Sequence, residues 1–445
     1  MNVLQLLDRL REFKSEPALI ANDTEINYDQ FVLGVEAWVD KLAKAGVSSG
    51  RVVSIEGDYS LPAISALIAL WELGCVAVPL APDSKSHHEL FREVGSVEYR
   101  ICIQKDDGDI HATGMTANHE LYKKLKDRSH PGLVLFTSGS TGPNKAAVHD
   151  AAFLLKKFEA RKRKFRTLVF LQMDHIGGIN TLLYTFSNGG AVIVVPERTP
   201  EAVCTIIERH KVELLPTSPT FLNLMLLFGG ISRYDLSSLK VITYGTEPMP
   251  EITLSRIAEE LPEVKLQQTY GMTELGILRS KSRDSQSLWV RVGGEGFETK
   301  VVNDRLWVRA ESAMLGYLNA LSPFDEEGFL DTGDRVEVDG EWMRILGRVG
   351  EAINVGGSKV NPAEVENVLL QIEGVSDAVV NGESHPITGQ TVVATIKLST
   401  DESIRAFKVR ARKFCRSHLP NYAFPSRFKL SQQDLYSDRF KKIRS

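Results

Sequence analysis

The chain has 445 residues, of which 43% are hydrophobic and 25% are charged, a composition typical of a globular protein with two or three domains. The formal net charge of −4 at pH 7 argues against nucleic acid as a partner. The four cysteines are widely spaced, which excludes a CxxC metal site and disfavours a disulfide framework.

The N-terminal segment MNVLQLLDRLREFK predicts an amphipathic helix, because charged residues interrupt its apolar positions as they would not in a signal peptide. The longest apolar stretch, residues 61–82, is broken by Glu72, Gly74 and Pro79. It therefore predicts a buried helix followed by a strand over 75–80, and no membrane span. Without a recognisable targeting segment, we expect a cytoplasmic protein.

Short β-rich runs then alternate with helical patterns as far as about residue 285, which predicts a large α/β body with mostly parallel strands. The predicted strands are 51–56, 99–104, 133–136, 167–171, 191–195 and 239–243, and predicted helices include 200–210 and 221–228. Beyond residue 285, glycine and β-branched residues predict an antiparallel, β-rich subdomain with a hairpin at residues 339–340.

The remaining chain predicts a small α+β domain. Its predicted helices are 362–371 and 402–417, and its predicted strands are 378–380 and 391–398. Glycines in the segment GRVG supply backbone freedom at the boundary. We therefore expect an N-terminal core over 1–346, a hinge over 347–350 and a mobile C-terminal lid over 351–445.

A loop rich in small residues, TSGSTGPNK, follows the predicted strand 133–136. Backbone N–H groups, hydroxyls and a terminal lysine suit a polyphosphate. The candidate ligands are Thr137, Ser138, Gly139, Ser140, Thr141, Gly142 and Lys145. The loop is not a Walker A motif, since Asn144 precedes the lysine and Ala146 follows it.

Three further segments suit a nucleotide. In QQTYGMTELG, Tyr270 offers a flat face for a purine, Thr273 a hydroxyl and Glu274 an oxygen ligand for Mg²⁺. In TYGTEPMP, Gly245 permits close backbone approach. In LDTGDRVEVDGEWMRILGR, Asp334 offers two acceptor oxygens to a ribose and Arg348 adds donors.

Taken together and in this order, these segments resemble the adenylate-forming superfamily, which includes acyl- and aryl-CoA ligases, peptide-synthetase adenylation domains and luciferases. The resemblance runs from about residue 17 to the end. It implies that the TSGSTGPNK loop holds the β- and γ-phosphates and that Thr273 contacts the α-phosphate. It also implies that Gly245, Thr246, Glu247 and Gly271 flank the adenine and acyl pockets.

The acid is expected beside FLQMDHIGGIN, which resembles the family segment whose histidine or aromatic residue lines the acyl pocket. His175 is the candidate, and Asp174 is a candidate for fixing its tautomer. Gly177 and Gly178 imply room for the substrate or a close backbone approach.

The C-terminal part resembles the family's hinge and swivel. Gly350 occupies the hinge position, and Gly356 and Gly357 are expected near the attacking thiol after rotation. LYSDRFKKIRS resembles the family's terminal motif, which implies that Lys442 is the adenylation lysine, with Lys441 as the alternative.

The resemblance implies an ATP- and Mg²⁺-dependent ligase that adenylates a small carboxylic acid and passes the acyl group to coenzyme A. Two alternatives stay open: loading the phosphopantetheine of an acyl carrier protein, and a non-catalytic nucleotide-binding homologue. A Rossmann dehydrogenase is disfavoured, because VGGEGFE lacks the strand–GxGxxG–helix context. We expect a monomer or homodimer.

Overall fold

The computed structural model describes residues 3–105, 107–137 and 144–444. It has the predicted α/β class: a large N-terminal body, a β-rich subdomain and a smaller C-terminal α+β domain. The helices are α1 (Val3–Glu12), α2 (Tyr28–Lys44), α3 (Leu61–Glu72), α4 (His88–Gly95), α5 (Glu120–Asp127), α6 (Ala151–Lys156), α7 (Ile176–Ser187), α8 (Pro200–His210), α9 (Pro219–Phe228), α10 (Gly230–Arg233), α11 (Glu251–Glu260), α12 (Pro362–Leu370) and α13 (Ile404–His418).

The strands of the body are short and follow one another closely. They are β1 (Pro17–Ala21), β2 (Thr24–Asn27), β3 (Val52–Glu56), β4 (Val76–Leu80), β5 (Tyr99–Ile103), β6 (Gly108–Ala112), β7 (Gly132–Phe136), β8 (Ala146–Asp150), β9 (Arg166–Val169), β10 (Ala191–Val194), β11 (Leu214–Thr217), β12 (Val241–Tyr244) and β13 (Lys265–Gln268).

The later strands are mostly antiparallel. They are β14 (Gly271–Met272), β15 (Gly276–Ile277), β16 (Ser280–Ser282), β17 (Trp289–Val292), β18 (Phe297–Val302), β19 (Arg305–Ala310), β20 (Gly316–Tyr317), β21 (Leu330–Asp339), β22 (Trp342–Arg348), β23 (Ile353–Val355), β24 (Ser358–Val360), β25 (Val375–His385), β26 (Gly389–Leu398) and β27 (Arg427–Leu430).

Two seven-stranded sheets build the body, in the orders β13-β12-β11-β9-β10-β1-β2 and β20-β8-β7-β4-β3-β5-β6. The prediction of mostly parallel strands holds for the middle of each sheet, whereas β2, β6, β8 and β20 pair antiparallel at or near the edges. The apolar helix α3 is buried on nearly all sides, in a core shared with α2, α7 and strands of both sheets. Ser60 caps its first turn by accepting from the Ala63 amide.

Three parallel strands of the first sheet end side by side. Thr217 of β11 pairs with Tyr244 of β12, which pairs with Gln268 of β13. Because the carboxyl ends of parallel strands share one edge of the sheet, the segments that follow these residues are brought together. This edge forms the floor of the site described below.

The β-rich subdomain is the sheet β16-β17-β22-β21-β19-β18, and its last strand in the chain ends at Arg348. The following strand β23 belongs to a separate sheet, β24-β23-β26-β25 with β27 beside β26, which packs on α12 and α13 around its own core. A short 3₁₀ turn, Val349–Glu351, joins the two sheets. The predicted hinge over 347–350 overlaps the end of β22 and the first two residues of this turn.

Candidate functional site

A cavity of about 470 Å³ opens between the body, the β-rich subdomain and the C-terminal domain. Its floor is the shared edge of β11, β12 and β13. One wall is the first turns of α7, and another carries Asp334 and Arg348 of the β-rich subdomain. The C-terminal tip covers it with Ser437, Arg439, Lys441, Lys442 and Arg444. Most residues predicted for the site therefore line one space.

The turn after β12 lies very close to the backbone of the segment that follows β13. A Cβ on Gly245 would lie 2.6 Å from Thr269 Oγ1 and 2.9 Å from its carbonyl oxygen, so only glycine fits. Thr246 adopts φ +75°, a region that non-glycine residues rarely occupy. Glu247 Oε1 accepts from the Thr220 amide at 2.8 Å, and burial raises the pKa of its carboxyl.

The predicted purine and ribose contacts lie together. The Tyr270 hydroxyl donates to Asp334 Oδ2 at 2.6 Å, and Arg348 Nε lies 3.3 Å from Asp334 Oδ1. Burial raises the pKa of Asp334. The three residues form one linked wall, with the tyrosine ring held in place by its hydroxyl.

Hydrogen bonds hold together the two ends of the predicted phosphate loop. The Thr137 amide donates to the Lys145 carbonyl at 2.9 Å, and the Lys145 amide donates back to Thr137 Oγ1 at 3.3 Å. Asn319 Oδ1 accepts from the Ala146 amide at 2.9 Å, and its Nδ2 donates to the Asn144 carbonyl at 2.9 Å. The predicted ligands between them, Ser138, Gly139, Ser140, Thr141 and Gly142, lie outside the described residues.

The candidate metal ligand Glu274 lies at the same end of the cavity. The Tyr317 hydroxyl donates to Glu274 Oε1, and the Lys145 ammonium lies 5.2 Å from the centre of the Tyr317 ring. Thr273 and Gly271 also line the cavity. Among the described residues, no group of three or more His, Cys, Asp or Glu side chains could hold a metal alone. A single carboxylate nevertheless suits Mg²⁺, which takes its other ligands from phosphates and water.

His175 is the N-cap of α7 and is neutral in this environment. Its Nδ1 accepts from the Gly177 amide at 3.0 Å, which leaves the proton on Nε2. Burial, and then the charges of Lys441 and Arg439, lower its pKa well below the usual value. The prediction that Asp174 fixes the tautomer is wrong, because Asp174 Oδ2 accepts from Arg439 at 2.7 Å and the backbone fixes His175.

Of the two glycines after His175, Gly178 is sterically required, because the nearest atoms that a Cβ there would meet belong to the backbone. A Cβ on Gly177 would lie 2.7 Å from Leu171 Cδ1, and one on Gly178 would lie 2.0 Å from the Gln172 carbonyl oxygen. Gly177 lines the cavity, whereas Gly178 lets α7 start against the preceding turn.

The two C-terminal lysines point to different surroundings. The Lys442 ammonium donates to the Ala378 carbonyl at 2.7 Å and lies 3.4 Å from Asp377 and 3.7 Å from Glu366, inside the C-terminal domain. Both lysines line the cavity, and there the charge of Lys441 acts on His175 and Glu247. Burial lowers the pKa of Lys441. The role predicted for Lys442 stays a prediction. Its ammonium is already engaged by two carboxylates, which favours the alternative, Lys441.

The C-terminal tip is anchored in the body by contacts that the sequence did not reveal. Phe440 packs between Phe170 and Phe221, with ring centres 5.3 and 5.1 Å away, and its carbonyl accepts from Ser218 Oγ at 2.9 Å. Its φ of +51° is unusual for a residue with a side chain. Arg439, beside it, makes the ion pair with Asp174.

The two glycines predicted to lie near the attacking thiol are outside the cavity. Gly356 and Gly357 form the turn between β23 and β24, with φ of +58° and +92°, and neither lines the cavity in the described part of the chain. A Cβ on Gly350 would meet nothing within 4 Å, so no neighbouring atom requires a glycine there. The roles predicted for these glycines depend on a rotated domain and stay predictions.

In the described part of the chain, no helix has both the length and the apolar character needed to cross a membrane.

Comparison with known proteins gives two family matches. Residues 6–318 match the model of the AMP-binding enzyme family, and residues 364–439 match the model of the AMP-binding enzyme C-terminal domain. The first match alone covers well over half of the chain.

Relatives and one solved structure agree with these matches. The chain is 32% identical to acyl-CoA synthetase 7 of Caenorhabditis elegans, over 83% of this chain and 74% of that protein. It is 28% identical to a Mycobacterium tuberculosis CoA ligase for 3-[(3aS,4S,7aS)-7a-methyl-1,5-dioxo-octahydro-1H-inden-4-yl]propanoate, over 94% and 93% of the two chains. The anthranilate CoA ligase AuaEII, solved with anthranoyl-AMP, superposes with a TM-score of 0.84 at 19% identity, covering 99% and 95%.

Proposed function

This chain belongs to the AMP-binding enzyme family, and from that premise we propose that its cavity is the active site of an acid–thiol ligase. The enzyme activates a carboxylic acid with ATP, releasing pyrophosphate, and then transfers the acyl group from the acyl-AMP to the thiol of coenzyme A. The observation that supports this site most is the convergence of Tyr270, Asp334, His175 and Lys441 on one cavity.

In the first step, the acid's carboxylate attacks the α-phosphorus of ATP and pyrophosphate leaves from the opposite side. Negative charge then accumulates between the carboxylate and the α-phosphate. Lys441 is the cation placed to stabilise that charge, and the neutral His175 offers its Nε2–H as a donor beside it. Tyr270 and Asp334 hold the nucleoside, so that the reacting atoms meet in a fixed geometry.

The polyphosphate end of the nucleotide belongs beside Lys145 and Glu274. Bound Mg²⁺ would neutralise phosphate charge there and would be held by Glu274 together with phosphate oxygens. The hydrogen bond from Tyr317 orients the Glu274 carboxylate toward one position.

The second step requires that the C-terminal tip leave the cavity, since a thiol cannot approach the acyl carbon while Lys441 and Arg439 cover it. Rotation about Gly350 would break the Arg439–Asp174 pair and withdraw Phe440 from its aromatic site. It would bring the turn at Gly356 and Gly357 toward the cavity, as the sequence resemblance implies.

We place the enzyme in the cytoplasm, where ATP and coenzyme A are available, as a monomer or homodimer. An acyl carrier protein is the other thiol acceptor to be tested. The helix α13 would suit an acidic partner, since Arg405, Arg412, Lys413 and Arg416 are exposed on it and make no ion pair within the described residues.

The test is acid-dependent exchange of labelled pyrophosphate into ATP over a panel of aliphatic and aromatic acids, followed by thioester analysis with coenzyme A and with a holo carrier protein. We expect exchange with a subset of acids and an acyl-CoA from the same subset. Absence of exchange with every acid, or formation of ADP in place of AMP, would contradict the proposal.

A further inference from the structure

The α7 wall of the cavity carries a polar side chain, Asn180, that has no part in the two reaction steps described above. Ile176, Gly177, Asn180 and Thr181 of α7 line the cavity as one helix face. Asn180 lies five residues after His175, or about 7 Å farther from the reacting centre along the helix. A substituent of the acid, rather than its carboxylate, would meet Asn180.

Behind Asn180 lies Lys157, the residue that follows α6. Its ammonium donates to Asn180 Oδ1 at 2.8 Å and to the Ile277 carbonyl at 2.5 Å. Ile277 also lines the cavity. Among the described residues, no carboxylate forms an ion pair with Lys157, although neighbouring basic residues do pair, as Arg161 does with Glu12.

The lysine fixes the orientation of the amide. An ammonium is only a donor, so the Asn180 oxygen must face it and the Asn180 NH₂ must point the other way. No acceptor for that NH₂ is found in the described part of the chain. The cavity wall therefore presents a donor group whose oxygen is already bound to a positive charge.

The surroundings strengthen the preference for negative charge. Burial, followed by the charges of Lys162 and Arg279, lowers the pKa of Lys157 to about 7. Arg279 is itself paired with Glu295 at 3.1 Å. An anion placed against Asn180 would be stabilised by this cluster and would favour the protonated lysine.

The cavity also contains polar atoms that lack partners. Thr217 Oγ1 and Gln268 Oε1 are buried and have no hydrogen-bond partner within the described residues, and both residues line the cavity. Buried polar atoms are normally satisfied, so these atoms indicate a polar occupant. The Thr217 hydroxyl can donate to an oxygen of the acid, whereas Gln268 Oε1 only accepts and is no partner for a carboxylate. An acid that is apolar along its whole length would leave the Asn180 NH₂ unpaired.

We propose that Asn180, backed by Lys157, is a specificity subsite for a second, oxygen-bearing acceptor on the substrate, and that the preferred acids carry a distal carboxylate. This inference rests on the proposed function, because it assigns the substrate class of the same cavity. Asn180 touches the substituent, and Lys157 is the positioning residue that orients the amide and supplies the charge.

The experiment compares matched acids in the pyrophosphate-exchange assay: mono- and dicarboxylic acids of equal chain length, and 4-methylbenzoate against 4-carboxybenzoate. For the wild type we expect kcat/KM to be about tenfold to a hundredfold higher for the acceptor-bearing member of at least one pair, as hydrogen bonds to charged groups allow. The difference should appear mainly in KM, since the subsite is remote from the reacting atoms.

Two variants separate the roles. Asn180→Asp keeps an oxygen toward Lys157 but replaces the donor NH₂ with an acceptor, so the preference for the distal carboxylate should disappear or reverse. In the wild type, the KM for the dicarboxylate should rise as the pH increases through about 7, because Lys157 loses its proton. Lys157→Met should reduce the preference for the distal carboxylate and remove this pH dependence. Lys156→Met, an exposed neighbour, is the matched control and should retain the wild-type preference.

The outcomes distinguish the two proposals. If the wild type adenylates apolar acids as well as their carboxylate-bearing partners, or if Asn180→Asp leaves the ratio unchanged, the subsite is refuted while the ligase function stands. If no acid in the panel supports exchange, the proposed function itself fails. Thermal unfolding of each variant shows whether a lost preference reflects lost folding.

Discussion

Exchanging each C-terminal lysine for methionine separates two roles that the sequence could not tell apart. Both lysines line the cavity, but the Lys442 ammonium is held by Ala378, Asp377 and Glu366 of the C-terminal domain. Lys441→Met should therefore act on the chemistry, and Lys442→Met should act on stability.

The expected magnitudes follow from these surroundings. Removing a preorganised charge from the transition state typically costs about a hundredfold to a thousandfold in rate, which we expect for adenylation by Lys441→Met. Breaking a buried ion pair costs about 3–5 kcal/mol, and we expect about 3 kcal/mol for Lys442→Met because Arg444 still pairs with Glu366.

The assay follows the two half-reactions and the folding of each variant. Pyrophosphate exchange reports adenylation, and thioester formation from supplied acyl-AMP reports the second step. Lys441→Met should lose the first and keep the second, with little change in the thermal midpoint. Burial lowers the pKa of Lys441, so wild-type adenylation should also decline at a lower alkaline pH than an ordinary lysine would impose, as the ammonium loses its proton.

The opposite pattern would refute this reasoning. If Lys442→Met abolished exchange at an unchanged thermal midpoint while Lys441→Met remained active, the catalytic amine would belong to Lys442. The arrangement of the tip described here would then not be the adenylating one.

Three further predictions concern the walls of the site. Tyr270→Phe leaves a buried oxygen of Asp334 without its donor, which should cost about 1–3 kcal/mol and raise the KM for ATP; an unchanged KM would contradict the linked wall. Gly178→Ala places a Cβ 2.0 Å from the Gln172 carbonyl oxygen, so chemical denaturation should show a loss of about 3 kcal/mol, and full stability would contradict the packing. Phe440→Ala removes a partly buried ring from its aromatic site, so exchange should slow while thioester formation from supplied acyl-AMP does not, and equal slowing of both steps would contradict its anchoring role.

The sequence was sufficient wherever local chemistry determines structure. Pro200–His210 was predicted at its observed bounds, because proline and Thr199 begin that helix and an apolar stripe runs through it. The sheets were only partly predicted. The pairing of β7 with β8 depends on tertiary contacts, and the edge strands β2 and β6 are too short and too exposed to leave a clear pattern.

The same distinction holds at the site. Tyr270, Asp334 and Glu274 lie in motifs with recognisable spacing, and the structure brings them to one cavity. Tyr317, Arg439 and Asn180 have no such signal, because their importance arises from partners far away in the chain. Lys157 lies in the basic run KKFEARKRKFR, residues 156–166, and such a charge pattern does not indicate that one of its lysines is buried against Asn180.

The most direct test of the central claim follows an oxygen atom. The acid is supplied with both carboxylate oxygens as ¹⁸O, together with ATP, Mg²⁺ and coenzyme A, and the nucleotide product is analysed by mass spectrometry. If the carboxylate attacks the α-phosphorus in this cavity, each AMP released with the thioester carries one ¹⁸O atom. Unlabelled AMP, or ADP as the nucleotide product, would contradict the account.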